Sequence, residues 1–481
     1  MRVGLWLVVL GALVLRLLWL EADAATTLTW SGAPFTDEGL YSHAARNRVL
    51  FGVWRTNEWD NRLVSPLFDA AAYAMYTLFG VGFVQVRLIK ELLTKLDAGT
   101  TVDAGGLMRN PTSVYTDSDI AEREWRMMFR AFPQMIGLSG DLPDAGSFLT
   151  TSDFGTPVLA TRGADGVFRA MVNSCRHRGA IVETAATGTA SHFSCPFHAW
   201  TYASDGSLTG LPKPDHFGDV DRSCLGLQML PAAEKYGMLW VHPDPAGTLD
   251  VDALLGPELA DELAHWDLGS LSILGRDDYD IACNWKLAID TFGETYHFPV
   301  LHKNTLNFGF HGNVQCYDTF GRNHRMILCR RAIDDMATQP EDQWDIGVAA
   351  LPAYWLFPNV QLLPFAGGCF LVRAYPIPGD PGRHVSRISF YGRAGDGEQA
   401  GVYGDVRALA QGFASIIRDE DYVMSASQQA AANAAAQPYS LFGRNEPALH
   451  HYHRTYRAFL GMDPLPLLTE EEATAAAPAL A

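Results

Sequence analysis

The chain has 481 residues, 54 acidic and 36 basic side chains, and a formal net charge of −18. Hydrophobic residues make up 48% and charged residues 19%, which excludes wholesale disorder and leaves room for two or three domains with buried cores. The acidity argues against a nucleic-acid partner, because phosphate binding needs a basic face. It suits a soluble enzyme, or one served by a protein with a basic patch. The seven cysteines are odd in number and loosely spaced, so a disulfide framework is not expected and a reducing compartment fits better.

The first residues differ from the rest. Val3 to Leu20 is an apolar run broken by Gly4, Gly11 and Arg16, long enough for a membrane helix or a signal-peptide core. Ala22-Asp23-Ala24 is a poor cleavage site. A second run, Leu67 to Leu88, contains Asp69, Gln85 and Arg87 and reads as a weaker span or a buried helix. Between them lies Thr36-Asp37-Glu38-Gly39-Leu40-Tyr41. With its flanking runs this segment resembles the start of membrane glycosyltransferases of the dolichyl-phosphate-mannose or aminoarabinose type. Those enzymes need many more membrane helices, and the remaining sequence has none. Residues 1–88 are therefore read as a hydrophobic leader of one or two membrane helices, a fragment fused to an unrelated protein or a product of sequence assembly. Arg2 before the first run, and Arg87, Lys90 and Lys95 after the second, place the rest of the chain in the cytoplasm, tethered to the membrane by the leader.

From Ile89 the pattern becomes soluble. Ile89–Leu96 and Asp117–Phe129 read as amphipathic helices, the second capped by Ser118 or Asp119; together they occupy residues 89–135. Residues 136–250 hold short β-type runs broken by Gly, Pro and Asp, among them Pro157–Thr161, Val167–Val172 and Met238–His242. Residues 251–470 mix both types. Tyr354–Leu362 and Cys369–Arg373 read as neighbouring strands and Asp405–Ala435 as helix. Residues 471–481 read as a disordered tail. The fold class is α+β: an all-β module ahead of a helix-grip-like α+β domain.

The all-β module carries Cys175-Arg-His177, then 17 residues, then Cys195-Pro-Phe-His198. Two thiolates and two imidazoles on loops can hold zinc. The one-residue gap in the first pair is too tight for most zinc knuckles, and Cys-Arg-His-Arg-Gly followed by Cys-Pro-Phe-His-Ala-Trp closely resembles the Rieske motif. The resemblance implies a [2Fe–2S] cluster with one iron on Cys175 and Cys195 and the other on His177 and His198. Ala199 stands where that family usually has Gly, a change expected to be tolerated if the backbone there keeps φ below zero. A Rieske ferredoxin is only about a hundred residues long, so the remainder calls for a second activity.

That remainder contains Asn284-Trp-Lys-Leu-Ala-Ile-Asp290-Thr-Phe-Gly-Glu294-Thr-Tyr-His297-Phe-Pro-Val-Leu-His302. Five positions along an ideal helix rotate by about 500°, so His297 and His302 cannot both face one metal unless the helix breaks. Pro299 lies between them and supplies the break. Alone, the pair reads more simply as two histidines at a helix end. Behind a Rieske motif, the stretch resembles the Asn-Trp-Lys…His-x(4)-His motif of Rieske non-haem iron oxygenase α-subunits, at Asn284, Trp285, Lys286, Glu294, Tyr296, His297 and His302. The resemblance implies an Fe(II) site of two histidines and a carboxylate with positions left open for dioxygen and substrate. The third ligand is assigned to Asp421, in the Glu420-Asp421 pair ahead of Gln428-Gln429; the competing reading is an acidic helix face. Glu294 occupies a position usually filled by Asp and is expected to bridge His198 of one subunit to His297 of the next in a homotrimer or hexamer. A subset of the family acting on quaternary ammonium compounds also has Glu there. Asp290 is either a group backing the metal site or an ordinary helix carboxylate. His450, His451 and His453 are not needed as ligands once the set is full.

These readings imply the catalytic subunit of a mono- or dioxygenase. It would take NAD(P)H electrons only indirectly, through a separate reductase or ferredoxin, and use O2 on a small organic, chiefly aromatic, substrate. The alternatives are a quaternary-ammonium (carnitine-like) monooxygenase and a Rieske electron carrier with an inactive second domain.

Overall fold

The computed structural model describes residues 83–393 and 406–474. The Val3–Leu20 run, the Asp37-Glu38 segment and most of the Leu67–Leu88 run lie outside them. Among the described residues no helix is long and apolar enough to cross a membrane.

The first element is a helix, Phe83–Ala98, longer than the expected Ile89–Leu96, so a division at 88/89 falls inside it. Leu88, Ile89 and Leu92 bury against Val314, Cys316, Ile327, Cys329 and Ile333 of the second half of the chain. The Ser118–Glu124 helix comes next. Its cap is Asp117, whose side chain accepts from the backbone N–H groups of Asp119 and Ile120, one residue earlier than expected. This helix widens into a π turn at Trp125–Phe129.

The expected all-β module is present as three small sheets. One orders Met229–Leu230, Phe168–Val172, Val158–Arg162, Ser147–Thr151 and Thr187–Thr189; a second, His192–Ser194, Thr201–Ala203 and Leu208–Gly210; a third, Ala232–Lys235, Met238–Val241 and Gln134–Leu138. Cys175, Cys195, Trp200 and Tyr202 share a core with Phe148, Leu159 and Met171, so the Cys loops are fastened at their thiol ends.

The second domain is built on a seven-stranded antiparallel sheet in the order Leu271–Ile281, Asp380–Arg393, Gly368–Ile377, Val360–Phe365, Ala350–Leu356, Asn323–Arg330 and Phe310–Phe320. Six strands form a meander, and the earliest pairs beside the last. The chain therefore leaves one edge at Ile281 and re-enters at the opposite edge at Phe310. The segment between carries Asn284 to His302 across the sheet. The expected strand Tyr354–Leu362 is instead two strands joined by a turn at 357–359. Pro358, which has no N–H to give, sits in that turn, and Asn359 ties it to the neighbouring strand by donating to the Ala374 carbonyl at 3.0 Å.

Alternation sorts side chains to the two faces. Trp355, Leu363, Phe370 and Val372 join the core that includes Trp285, Ala288, Ile417, Tyr422, Tyr452 and Tyr456. Leu356, Leu362 and Leu371 join Val251, Leu259, Leu263, Met135 and Trp240 on the other face. Both faces are covered, one by the helices that hold the site and one by the Val251–Leu255 and Pro257–His265 helices with part of the first module. The expected Asp405–Ala435 helix runs as Val406–Ile416, a π turn at Ile417–Asp421, and Tyr422–Asn433. Residues 471–474, expected to be disordered, complete the Glu470–Thr474 helix, held where Arg109 donates to the Ala473 carbonyl at 2.8 Å.

The burial of Leu88, Ile89 and Leu92 gives a direct test. A chain beginning at Leu93 should melt well below one beginning at Phe83, since each buried Leu or Ile lost costs about 1.5–3 kcal/mol. Thermal unfolding of the two truncated proteins checks it; equal midpoints would show that the helix is not part of the domain.

Candidate functional site

Two clusters of side chains emerge. In the first, the loops 175–179 and 195–199 close in the same way. The Gly179 N–H donates to the Cys175 carbonyl at 2.8 Å, and the Ala199 N–H donates to the Cys195 carbonyl at 2.9 Å. Each loop ends in a left-handed residue, Gly179 at φ 77° and Ala199 at φ 57°. Ala199 thus does not keep the negative φ that would make it harmless, and the shared turn explains why Gly is the usual residue there. The two loops bring the rings of His177 and His198 to 4.5 Å between centroids, and His177 stacks on Trp200 at 5.2 Å. Cys175 and Cys195 form no disulfide and are buried. Nδ1 of His177 is buried without a hydrogen-bond partner, which suits a nitrogen reserved for a metal. The Tyr202 hydroxyl lies 3.2 Å from Cys175 Sγ and accepts from the Arg176 N–H at 3.0 Å. Burial, with Cys175 adding to it, raises the Tyr202 phenol, so it stays protonated. Desolvation first, then His177 and Arg178, lowers His198, favouring the neutral imidazole a metal needs.

In the second cluster, His297 Nε2 and His302 Nε2 are 3.1 Å apart. Asp421 Oδ1 lies 3.5 Å from the first and 3.3 Å from the second. Among the described residues this is the one group of three or more His, Cys, Asp or Glu side chains whose ligand atoms all lie within 4.8 Å of one another, as a single ion requires. The opposite ring nitrogens are also engaged: His297 Nδ1 meets Glu294 Oε1, and His302 Nδ1 meets Glu420 Oε2 at 2.7 Å. Both rings thus turn Nε2 inward and Nδ1 outward. Two imidazoles and one carboxylate arranged this way suit a divalent iron with open positions.

The surrounding sequence explains the convergence. Asn284 caps the Trp285–Asp290 helix by accepting from the Lys286 N–H at 2.9 Å. Trp285 Nε1 and Lys286 Nζ both donate to the buried Glu124 carboxylate, at 3.0 and 2.5 Å, fixing the helix against the N-terminal arm. The Gln429 side-chain carbonyl accepts from the Asn284 N–H at 2.9 Å, and Ser425 Oγ donates to the Leu287 carbonyl at 3.3 Å. These two bonds hold the Asp421-bearing helix against the histidine-bearing segment. The Tyr422 hydroxyl pairs with Ser386 Oγ at 2.5 Å, anchoring the residue beside Asp421 to the sheet. Asp290 faces elsewhere: it accepts from the Tyr115 hydroxyl at 2.7 Å and pairs with His453 Nε2 at 3.0 Å. Glu420, Glu124 and Gln429 carry contacts to which the sequence alone assigns no role; the Glu420-Asp421 pair is the available signal for the first.

Residues 132–231 match the Rieske [2Fe–2S] domain, and residues 268–462 match the ring hydroxylating alpha subunit (catalytic domain). The chain thus carries both domains of Rieske oxygenase catalytic subunits, the non-haem iron mono- and dioxygenases, and these domains imply a [2Fe–2S] cluster, a mononuclear iron and O2 as co-substrate. Over 208 residues it is 32% identical to the anthranilate 1,2-dioxygenase large subunit of Acinetobacter baylyi, covering 41% of this chain and 43% of that protein. It is 25% identical over 331 residues to the carnitine monooxygenase oxygenase subunit of Acinetobacter baumannii, covering 66% of this chain and 84% of the relative. In fold it is similar to a quaternary ammonium Rieske monooxygenase in complex with L-carnitine, with TM-score 0.62 and 19% identity over 74% of this chain and 96% of the other. It is likewise similar to naphthalene 1,2-dioxygenase from Rhodococcus, with TM-score 0.58 and 18% identity over 79% and 99%.

Each cluster yields a test. Ala199→Gly should stabilise the protein by about 1 kcal/mol, because it removes a left-handed alanine; a higher denaturant midpoint for loss of the visible cluster absorption would verify it. The test of the second cluster is its pH dependence. Burial pulls His297 down, but Asp421 and Glu294 outweigh it and push it up to about 9. Burial would raise Asp421, but His297 and His302 outweigh it and lower it. Without a metal, His297 is thus protonated below about 9, and a divalent ion must displace that proton. Fe(II) affinity of iron-stripped protein should fall about tenfold per pH unit below that value. Anaerobic binding titrations across neutral pH would measure this, and a flat profile would refute it.

Proposed function

We propose that Cys175, His177, Cys195 and His198 hold the [2Fe–2S] cluster, that His297, His302 and Asp421 hold the mononuclear iron, and that the subunit oxidises a small organic substrate. The observation that carries this is the meeting of His297 Nε2, His302 Nε2 and Asp421 Oδ1 within 3.5 Å. When bound, the cluster supplies single electrons and the iron supplies the place where dioxygen reacts. The residues supply the geometry. Asp421 is the anionic donor, and the two Nδ1 carboxylates hold each imidazole in one orientation. No dinucleotide fingerprint is evident in the sequence, so a separate reductase or ferredoxin delivers the electrons of NAD(P)H.

Glu294 serves as the link between subunits. Its carboxylate accepts from His297 Nδ1 and from the backbone N–H groups of Tyr296 and His297, beside the exposed Tyr296 and Val300. His198 is exposed at the edge of the other module. In a ring-shaped trimer, His198 of one subunit would meet Glu294 of the next. Of the expected 1–88 leader, the part before Phe83 is proposed to take no part in this chemistry and to provide any membrane contact, since Leu88 already packs into the catalytic domain.

For the substrate, an aromatic compound is the first reading, supported by the likeness to anthranilate 1,2-dioxygenase. A quaternary ammonium compound is the second, favoured by Glu294 and by the long alignment with carnitine monooxygenase. Oxygen uptake with a supplied reductase, an aromatic carboxylate and a betaine separates the two. His297→Ala should keep the cluster absorption but lose the second iron and all coupled oxygen uptake; stoichiometric zinc without inorganic sulfide would sink the assignment. Glu294→Gln should keep both metals and slow cluster re-oxidation by roughly ten- to a hundredfold. An unchanged single-turnover rate would remove Glu294 from the route.

A further inference from the structure

We propose that Glu420 is a positioning residue of the mononuclear site: its carboxylate keeps a proton on Nδ1 of His302 and so presents Nε2 as the metal donor. The proposal rests on His302 being an iron ligand, as assigned above.

A neutral imidazole has one N–H and one lone pair, and the group facing one nitrogen decides the role of the other. Nε2 of His302 faces His297 Nε2 at 3.1 Å and Asp421 Oδ1 at 3.3 Å. Nδ1 faces Glu420 Oε2 at 2.7 Å. An oxygen that already accepts from a hydroxyl faces the ring as an acceptor, so Nδ1 donates and Nε2 keeps its lone pair. Glu420 is itself fixed, since the same Oε2 accepts from Thr305 Oγ1 at 2.9 Å. The Thr305 N–H donates to the His302 carbonyl at 3.0 Å, so the turn after His302 holds the clamp on its own ligand.

The backbone makes this pairing possible. Consecutive residues on an α-helix point about 100° apart. Glu420 and Asp421 end the wide turn Ile417–Asp421, and their carboxylates lie at opposite nitrogens of one imidazole. The His302 side chain is only 1% exposed. Both carboxylates are partly exposed, Glu420 at 24% and Glu294 at 14%. They differ in the ring they hold: Glu294 holds His297, next to the exposed Tyr296, and Glu420 holds the buried His302, where it governs how tightly the iron is bound.

The test uses cluster-loaded protein stripped of its mononuclear iron and titrated anaerobically with Fe(II) against a coloured chelator. Glu420→Leu should weaken Fe(II) binding about ten- to a hundredfold with the cluster absorption intact. Glu420→Gln, whose amide oxygen still accepts from Nδ1–H, should lose much less. In cobalt-substituted protein, the slowly exchanging, hyperfine-shifted N–H signal of His302 should persist in Glu420→Gln and exchange rapidly in Glu420→Leu. Unchanged Fe(II) affinity in Glu420→Leu overturns the proposal. Equal losses in both variants also overturn it, because charge and not proton placement would then be responsible. If Glu420→Leu does not fold, Thr305→Val decides: weaker binding supports the clamp, and unchanged binding refutes it. His302→Ala separates the two levels. If that variant keeps its iron, the ligand assignment itself fails, whatever Glu420 does.

Discussion

The second domain depends on one constraint: two imidazole nitrogens and a carboxylate oxygen from distant parts of the chain must stay within 3.5 Å of one another. Such a group gains little from hydrophobic burial and costs free energy to desolvate. Its position has to be imposed from outside. Glu124 holds the histidine segment through Trp285 and Lys286, while Gln429 and Ser425 hold the Asp421 helix against that segment. Losing any of these clamps would leave a buried polar partner unsatisfied as well as loosening the site. That is why the Asn-Trp-Lys run matters although none of its side chains is among the three converging groups.

The same logic appears in strained form in the Rieske module. Two loops of different sequence close with the same i to i+4 hydrogen bond and the same left-handed final residue. Gly179 takes that conformation freely, whereas Ala199 takes it at a cost of about 1–2 kcal/mol. The loop keeps its shape because Trp200 and Tyr202, immediately downstream, are buried in the module's core. Core packing enforces a backbone geometry that the local residue does not favour.

Legibility in the sequence depends on how each feature is encoded. Cys175, His177, Cys195 and His198 lie in short spacings that only a few chemistries use, and His297 and His302 lie around a proline that has to break a helix. The first four suggest a site before any fold is known; the histidine pair, which alone reads as a helix end, suggests one only because it follows them. Asp421 is reached through the Glu-Asp pair, but the pair's other half, Glu420, gains meaning only from a π turn that composition does not signal. An alanine carries no local mark of a positive φ, which is imposed by the loop around it, and Ala199 departs from expectation for that reason. Tyr354–Leu362 looks like one strand because its apolar run is nearly continuous, and Pro358 does not mark the turn by itself, because Pro352 and Pro364 lie within the strands on either side. Glu124 and Lys286 are separated by the whole Rieske module, and no local pattern could join them.

That last pairing bears on how the domains are organised. The arm before the Rieske module is tied to the domain after it at every level. Met108–Pro111 pairs with Tyr439–Phe442, Leu107 bridges Leu468, the Tyr115 hydroxyl donates to Asp290, and Glu124 receives Lys286. The catalytic domain is thus discontinuous in sequence, and the Rieske module is inserted into it between Phe129 and the sheet. An insertion anchored at both ends cannot drift freely from the domain that contains it. The face presenting His198 is therefore held in a fixed relation to the face presenting Glu294. The ring-shaped trimer proposed above would need that relation for His198 of each subunit to meet Glu294 of the next.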